Sequence, residues 1–555
     1  MRTRPVTKPS LTRPQWLLNE LSRILYDGSP SACRKKLHLL DQLDGAHLRT
    51  ATSFRQLHRL CLFLMAYPCS LQHYRKAEQV LRGLAGRIPN LPATLRLRLE
   101  NSALPGSTCT VSLSYHLVSR FNREATLSLR LFSVDASAEE TESALSVVLP
   151  PLLFAAVADR HLSARRQLQL LLTHGKDALG QLLSWFEAAE LPASHKELVW
   201  QQLKVYVHFA VPGSAYLPLN RQAPVYLHRQ GLLRQAATGR QSRLVKIPLT
   251  AAQQDELVFR ARLALASRQR ETDPITYADV RKTELFDAGR GLHIALFYML
   301  HEHRLPLETY VGYLIVKNEI PMAYGGSWMF QWRARTGIHV FSEFRGGESA
   351  WAFFRVLRLY HQRFGVTQFV ADPFQLGYGN ADGIRSGAYW FYHRLGFRLT
   401  DPGLRRLAEL EEEAISRDRR HRTAAAVLRR FAASSVELRL HARKKSPDPR
   451  QFAERLLQGG QRQAGAAASP RLLHRRLIGQ LGERNLRRWP DAEREAFYRM
   501  APLLRVVNWQ LFSPKEKGEI LQLIRRKGSD DEAAFVTGTQ ESPAWQKLLD
   551  HLLSQ

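Results

Sequence analysis

Cysteine is scarce in this sequence. The chain has four cysteines in 555 residues, all within its first fifth. None forms a C-x-x-C pair, the usual spacing of a zinc-binding or dithiol redox motif. So few cysteines in a long chain are typical of a reducing compartment of the bacterial-cytoplasm type. We therefore expect a cytoplasmic protein and leave open whether it is peripheral to a membrane. The four residues are Cys33, Cys61, Cys69 and Cys109.

Long apolar runs are also missing. The longest one, 144–158, contains Pro150 and Pro151 and lies between Glu142 and Asp159. It is too short and too interrupted to cross a bilayer, which takes about 20 apolar residues. The basic, proline-containing N-terminus is not followed by an apolar segment either. We therefore expect neither a transmembrane segment nor a secretory signal.

Familiar catalytic motifs are absent as well. The sequence has no Walker loop, no nucleophile elbow and no dinucleotide fingerprint. His293, His301 and His303 lie near one another, but they do not have the H-E-x-x-H spacing of a helical zinc site. We therefore expect no bound metal.

Acidic residues are few relative to basic ones. The chain has 80 Lys and Arg against 50 Asp and Glu, a formal net charge of +30. Between Arg417 and Arg450 there are 11 basic and three acidic residues, a surplus of eight. Such a balance predicts an anionic partner: nucleic acid, an anionic membrane surface, an acidic carrier protein or a phosphorylated co-substrate. The basic segment is either a solvated helix face or a docking surface for that partner.

The N-terminal region, 1–253, is predicted to be mostly helical. Apolar residues recur at helical spacing from 14 to about 90 and again from about 137 to 210. Between these stretches, alternating apolar and polar residues predict a three-strand antiparallel meander at about 92–134. Its strands are expected in LRLRLE (95–100), TVSLSYHLV (110–118) and TLSLRLF (126–132).

The central region, 254–403, has the texture of an α/β fold with a mixed sheet. We predict two helices, three strands, a long helix, a strand, an aromatic helix and a last strand, in that order. Lys317-Asn318-Glu319 is predicted to be a hairpin turn. The expected ranges are helices at 255–268 and 291–303, strands at 309–317, 320–330 and 337–344, a helix at 349–364, a strand at 367–371, a helix at 386–395 and a strand at 397–400.

The C-terminal part is predicted to be helical. It divides into a basic helical extension at 404–456, a flexible linker rich in Gly, Gln and Ala at 457–470, and a helical domain at 471–555. One helix of that domain has a strong start signal, since Ser513 and Glu516 form a capping box around Pro514.

Two stretches of the central region carry chemistry. SGAYWFYHRLGF (386–397) places Tyr392 on or beside the buried face of a helix, where a phenol needs a hydrogen-bond partner, either structural or a ligand. EFRGGESA (343–350) joins a strand directly to a long helix. Such a junction concentrates free backbone N–H groups and the positive end of the helix dipole, which favours anions.

Together these stretches resemble the GNAT superfamily of acyl-CoA N-acyltransferases over about 254–403. The resemblance rests on the strand-to-helix junction and on the spacing A-x-x-F-Y-x-x-x-G-F. It implies that Tyr392 protonates a departing thiolate. It also implies that the junction binds the donor through Arg345, Gly346, Gly347, Ser349 and Ala350. To these donor-binding residues we add Arg385, seven positions before Tyr392.

The sequence departs from the family pattern at two positions. Glu348 stands where the family has its central glycine, and Arg385 where it commonly has asparagine. Either Glu348 points outward while the backbone binds phosphate, or the donor is not free coenzyme A. We therefore expect a thioester co-substrate, acyl-CoA or acyl carrier protein, and no tightly bound cofactor. An aminoacyl-tRNA donor is a further alternative, because GNAT-like folds also occur in aminoacyl-tRNA-dependent transferases.

The general base and the acceptor are less defined. Glu343 and His339 are the candidates for deprotonating an amine or hydroxyl acceptor. If 337–344 is one strand, both side chains lie on the same side of it. The competing hypothesis is a catalytically inactive GNAT-like protein that uses its basic surface on nucleic acid or anionic membrane.

Overall fold

The structure is a computed structural model of the chain. It describes residues 12–124, 126–155, 166, 177–213, 225, 243–418, 420–441, 446–454, 470–483, 486–529 and 531–554. Within these ranges, no helix combines the length and the apolar character that crossing a membrane requires.

The chain begins with a bundle of helices, as predicted. Ser29 and Thr50 cap the second and third helices by accepting the backbone N–H of Ala32 and Ser53. The third helix is buried along most of its length because the other helices and the large sheet surround it. The bounds are Arg13–Ile24, Pro30–Leu43, Ala51–Ala66, Leu71–Arg87 and Ala93–Leu99.

The predicted meander is wrong in its first strand, and the second and third predicted strands coincide with observed strands only at 110–112 and 130–132. LRLRLE is the helix Ala93–Leu99, in which Leu97 is exposed and only Leu99 is buried. A stretch this short does not separate a period of two from a helical period. The small sheet instead has the order β1-β3-β2, and both pairs are antiparallel. Its strands are β1 (Thr108–Ser112), β2 (Arg130–Val134) and β3 (Val205–Ala210).

From 137 onward the helices agree with the helical pattern, except that the pattern missed β3. The helix Tyr115–Asn122 instead takes the place of the second half of the strand predicted at 110–118. These helices cover the small sheet and connect it to the rest of the molecule. The bounds are Tyr115–Asn122, Ala138–Val148, Pro151–Ala155, Ala178–Ala188 and Ala193–Leu203.

A nine-stranded mixed sheet forms the centre of the molecule, which confirms an α/β architecture. Its order is β11-β12-β10-β9-β8-β7-β6-β5-β4. This order contains eight pairs of neighbouring strands. The pair of β9 and β10 is parallel, and the other seven pairs are antiparallel. The strands are β4 (Val245–Ile247), β5 (Glu284–Gly289), β6 (Leu292–Tyr298), β7 (Thr309–Lys317), β8 (Ile320–Phe330), β9 (Arg333–Val340), β10 (Gln368–Ala371), β11 (Arg398–Leu399) and β12 (Val436–Arg439).

The helix predicted at 291–303 is wrong. Those residues form β6 and a short 3₁₀ turn, His301–His303. Every residue of β6 is buried, so the strand lacks the alternation that marks a half-buried strand. The β7–β8 hairpin turn is confirmed, with φ of 45° at Asn318 and 69° at Glu319. Two positive φ values are what a two-residue hairpin of the primed type requires.

The long helix Ser349–Phe364 joins β9 to β10 and has the predicted bounds. Gly365 ends it with φ of 67°. It packs on one face of the sheet, where the Tyr360 hydroxyl donates to the carbonyl of Val311 at 2.8 Å. The other helices around the sheet are Ala251–Ala266, Asp273–Thr276, Pro373–Leu376, Ala381–Ser386, Ala388–Arg394, Pro402–Arg417 and Ala425–Phe431.

The large sheet extends beyond the predicted region at 254–403 on both sides. β4 precedes that region, and β12 lies inside the segment predicted to be a basic helical extension. β12 inserts between β10 and β11. The segment at 404–456 therefore contributes a strand to the sheet as well as helices.

The C-terminal helices are confirmed, including the capping box between Ser513 and Glu516. They dock on the sheet through buried charges. Lys527 Nζ lies 2.7 Å from Glu532 Oε1, and Arg304 Nε lies 3.4 Å from Glu532 Oε2. The predicted linker at 457–470 falls outside the described residues except at Pro470. The bounds are Pro470–Leu481, Asp491–Arg505, Pro514–Gly528, Glu532–Glu541 and Pro543–Ser554.

Candidate active site

The two parallel strands separate towards their carboxyl ends. β9 and β10 pair only from Arg333 to Arg335 and from Gln368 to Val370. Beyond this point β9 continues to Val340, while the chain after β10 turns into the helix Pro373–Leu376. In open α/β sheets, ligands bind outside the carboxyl ends of the strands at the point where the strand pattern changes. This split is therefore the candidate site.

Tyr392 reaches the split from the aromatic helix. Its hydroxyl donates to Gln375 Oε1 at 3.2 Å. The ring is fixed by edge-on contacts with Phe353 and Phe397. Burial raises the pKa of Tyr392 well above its usual value. The phenol therefore carries its proton at neutral pH, at the carboxyl end of β9.

A row of three glycines crosses the sheet and ends on β9, at the split. Gly312, Gly326 and Gly337 lie directly opposite one another on β7, β8 and β9. A Cβ at Gly337 would lie 2.4 Å from Cδ of Gln375. The missing side chain thus lets Gln375 lie against the strand and reach the hydroxyl of Tyr392.

Aromatic residues line one side of this glycine row. The rings of Tyr310 and Trp328 stack with their centroids 4.0 Å apart. The guanidinium of Arg335 lies 4.8 Å from the Trp328 centroid, and its Nε lies 3.6 Å from Asp372 Oδ2. This arrangement orders a cation and a carboxylate beside the split.

His339 lies on the other side of the row. It is half-buried, and its ring lies 5.2 Å from that of Tyr324, centroid to centroid. Burial lowers the pKa of His339, and the positive charges of Arg270 and Arg345 lower it further. The imidazole is therefore neutral at pH 7 and has a free lone pair to accept a proton.

The predicted relation between His339 and Glu343 is wrong. β9 ends at Val340, and Glu343 belongs to the 3₁₀ turn Ser342–Phe344, so the alternation of a strand does not extend to it. Glu343 Oε1 instead lies 3.0 Å from a guanidinium nitrogen of Arg268. Burial raises the pKa of this carboxyl, but Arg268 and His58 lower it more, to about 2. Such a carboxylate is a weak base.

The predicted anion-binding junction is covered by the N-terminal helices. Gly346 has φ of 83°. The ring of Tyr67 lies against Gly347, where a Cβ would be 2.7 Å from Cε2 of that ring. The phenolic oxygen of Tyr67 accepts the backbone N–H of Glu348 at 3.2 Å. One N–H group of the junction is therefore already satisfied within the chain.

Glu348 does not point outward, as one of the sequence alternatives held. Its carboxylate is buried, 3.1 Å from Lys317 Nζ and 2.9 Å from Arg290. Its charge is compensated inside the protein and is not presented to a ligand. The first-turn N–H groups of Ser349 and Ala350 have no acceptor within the helix, because each helix start leaves such groups unmatched.

The structure brings the two predicted donor-binding arginines together. Arg345 lies 2.6 Å from Asp382 Oδ2, and Arg385 lies 3.5 Å from Asp382 Oδ1. Both guanidinium groups reach solvent, since 45% and 73% of their side-chain surfaces are exposed. One carboxylate thus holds two cations at the outer end of the split.

Several residues of this site were not found from the sequence. Tyr67 lies 281 positions before Glu348, and no local pattern connects them. Gln375 and Asp382 lie in two short helices, in a stretch between 371 and 386 where the sequence predicts neither helix nor strand. The described part of the chain contains no group of three or more His, Cys, Asp or Glu placed to hold a metal ion.

Comparison with protein-family models, with curated proteins and with solved structures gives no match. What the site does must therefore be inferred from its own geometry and charges.

Proposed function

We propose that the protein is an acyltransferase with a GNAT-like central domain, which moves an acyl group from a thioester to an amine or hydroxyl. The observation that carries this proposal is the buried hydroxyl of Tyr392, which donates to Gln375 at the split between β9 and β10 and keeps its proton at neutral pH. The order of β9, junction, long helix, β10 and aromatic helix agrees with the order that the resemblance implies.

The residues at the split suit each step of acyl transfer. The acceptor attacks the thioester carbonyl, and the carbon–sulfur bond breaks as the tetrahedral intermediate collapses. Tyr392 gives its proton to the departing thiolate. We assign the base to His339, because its neutral imidazole can take the proton of the acceptor, whereas Glu343 is held as a carboxylate by Arg268. Return of this proton to Tyr392 through solvent completes the cycle.

The donor is proposed to bind through Arg345 and Arg385 at Asp382. This differs from binding through the whole junction backbone, because Tyr67 already occupies the N–H of Glu348. Acyl-CoA, acyl carrier protein and aminoacyl-tRNA all present phosphate or carboxylate groups, and each suits a protein with a net charge of +30.

The test is release of free thiol from a thioester in the presence of a panel of amines. The donors are acetyl-CoA, a long-chain acyl-CoA and an acylated carrier protein. Loss of general acid catalysis costs about 100-fold or more. We therefore expect Tyr392→Phe to lower kcat by this amount while the thermal midpoint changes little.

Tyr389→Phe is the matched control, since Tyr389 is a buried phenol on the same helix that packs against Phe431 and not at the split. The proposal fails if no donor yields thiol above the uncatalysed rate, or if the two variants have equal kcat.

A second function, binding of an anionic partner without catalysis, is favoured by one observation. Tyr67 and Tyr26 cover the junction, since the Tyr26 hydroxyl also donates to the carbonyl of Arg345 at 3.0 Å. For that function we expect nucleic-acid or anionic-membrane affinity to fall steeply with salt and to be unaffected by Tyr392→Phe.

A further inference from the structure

A groove of about 1110 Å³ lies beside the site, between the loop at 377–380 and the helix Ala425–Phe431. It shares Arg385 with the pair of arginines at Asp382, and Arg345 is not among its lining residues. Three arginines line it, and among the described lining residues none is Asp or Glu. The groove is therefore positively charged. The arginines are Arg385, Arg422 and Arg429.

The three guanidinium groups come from three separate elements. Arg385 is on the helix Ala381–Ser386, and its contact with Asp382 is longer than that of Arg345 with the same carboxylate, 3.5 against 2.6 Å. Arg422 is on the loop before the next helix and donates to the carbonyl of His421 at 2.8 Å. Arg429 is exposed on the helix Ala425–Phe431. Arginines from three separate elements therefore line one groove.

Aromatic rings complete the lining. Tyr378 is 65% exposed and lies between Gly377 and Gly379, whose φ values are 125° and 62°. These glycines allow a tight loop that presents the ring to solvent. The indole N–H of Trp390 donates to Thr423 Oγ1 at 3.0 Å, which fixes that ring in the wall of the groove.

We propose that this groove binds a nucleotide, with its phosphates on Arg422 and Arg429 and its base stacked on Tyr378. Guanidinium groups match phosphate geometry, and exposed aromatic rings stack on bases without regard to sequence. Pockets that hold whole small ligands span about 300–1,000 Å³. The groove is as large as these pockets, so it has room for an entire nucleotide as well as its phosphates. The nucleotide is either free or a unit of a single strand. This inference does not depend on acyl transfer.

The experiment follows displacement of a fluorescent ATP analogue from the full-length protein at moderate salt. The competitors are ATP, inorganic tripolyphosphate and a short single-stranded oligonucleotide. Tripolyphosphate carries the charge of ATP without a base, so it separates base recognition from attraction to any anion. A lower midpoint for the oligonucleotide than for ATP assigns the groove to nucleic acid, and the reverse assigns it to a free nucleotide.

Two variants, each with a matched control, test whether the nucleotide binds in the groove. We expect Arg429→Gln to weaken ATP binding about tenfold or more, the usual cost of a lost charge-assisted hydrogen bond. Arg430→Gln is the matched control, because it removes the same charge from the next, exposed residue outside the groove. Tyr378→Ala is expected to reduce the preference for ATP over tripolyphosphate, whereas Phe374→Ala, an exposed ring outside the lining, leaves it unchanged.

The proposal is overturned if Arg429→Gln and Arg430→Gln weaken binding equally, or if tripolyphosphate displaces the probe as well as ATP does. Tyr392→Phe should leave probe binding intact. A loss of thiol release in that variant therefore bears on the proposed acyl transfer and not on the groove.

Discussion

The phenolic oxygen of Tyr67 accepts the backbone N–H of Glu348 at 3.2 Å. This single bond joins the end of an N-terminal helix to the start of the long helix that crosses the central sheet. The same tyrosine packs on Gly347, so the N-terminal helices shape the junction that a donor would approach. The two regions therefore depend on each other for stability.

Replacing Tyr67 with Phe tests that dependence. The substitution keeps the ring but leaves the buried N–H of Glu348 without its acceptor, which costs about 1–3 kcal/mol of unfolding free energy. The loss is measured by urea unfolding. Tyr26→Phe is the control, since its hydroxyl donates to Arg345 in an exposed position and water can replace it. Equal stability of Tyr67→Phe and wild type would contradict the prediction.

Acid stability should depend on Glu343. Its pKa is about 2 in the folded protein, below the usual 4.5, so the unfolded chain binds the proton more tightly. The stabilisation is therefore complete above pH 4.5 and is lost as the pH falls from there through 2. Over this window we expect the wild type to lose about 3 kcal/mol that Glu343→Gln does not lose.

The measurement for Glu343 is unfolding free energy by denaturant at a series of pH values. At neutral pH the Gln variant should be less stable, because Arg268 keeps its charge in a site with little solvent. If the unfolding free energies of the two proteins changed with pH in parallel, protonation of Glu343 would not be linked to unfolding, and the prediction would be wrong.

Gly337→Ala should act on Tyr392 through Gln375. The added methyl group would lie 2.4 Å from the end of the Gln375 side chain, which is flexible and can move away. Tyr392 then loses the acceptor that orients its hydroxyl. We expect lower kcat for thiol release with a small change in thermal midpoint. Gly518→Ala is the control, since a Cβ there meets nothing within 4 Å. If Gly337→Ala left kcat unchanged, the position of Gln375 would not matter for catalysis.

The sequence was most informative where a local rule decides the structure. The Ser513 capping box, the turn at Asn318 and the bounds of Ser349–Phe364 all depend on neighbouring residues, and all three predictions were confirmed. β6 was missed because a strand buried on both faces has no alternating pattern. β12 was missed because it lies within a basic segment whose composition indicates a surface.

The same distinction between local and long-range signals holds for the residues of the candidate site. Tyr392 was found because its position on a short helix is a local property. Its partner Gln375 and the cover supplied by Tyr67 were not, since contacts between distant parts of a chain leave no spacing in the sequence. Glu343 was assigned a possible base role from strand alternation, but its ion pair with Arg268 depends on tertiary packing.

The docking of the C-terminal helices should depend on Lys527. Its ammonium group is buried and donates to Glu532 at 2.7 Å, to Thr309 Oγ1 at 2.9 Å and to the carbonyl of Glu308 at 2.9 Å. Lys527→Met removes one of the two cations that contact the buried Glu532 carboxylate among the described residues and leaves Arg304, which costs about 3–5 kcal/mol. We expect faster amide hydrogen exchange in the helix Glu532–Glu541 and a lower urea midpoint.

The matched control is Lys515→Met, because Lys515 is an exposed lysine on the same helix as Lys527. This substitution should change neither the exchange nor the urea midpoint. If exchange in Glu532–Glu541 is unaltered by Lys527→Met, apolar packing rather than the buried charges holds these helices on the sheet.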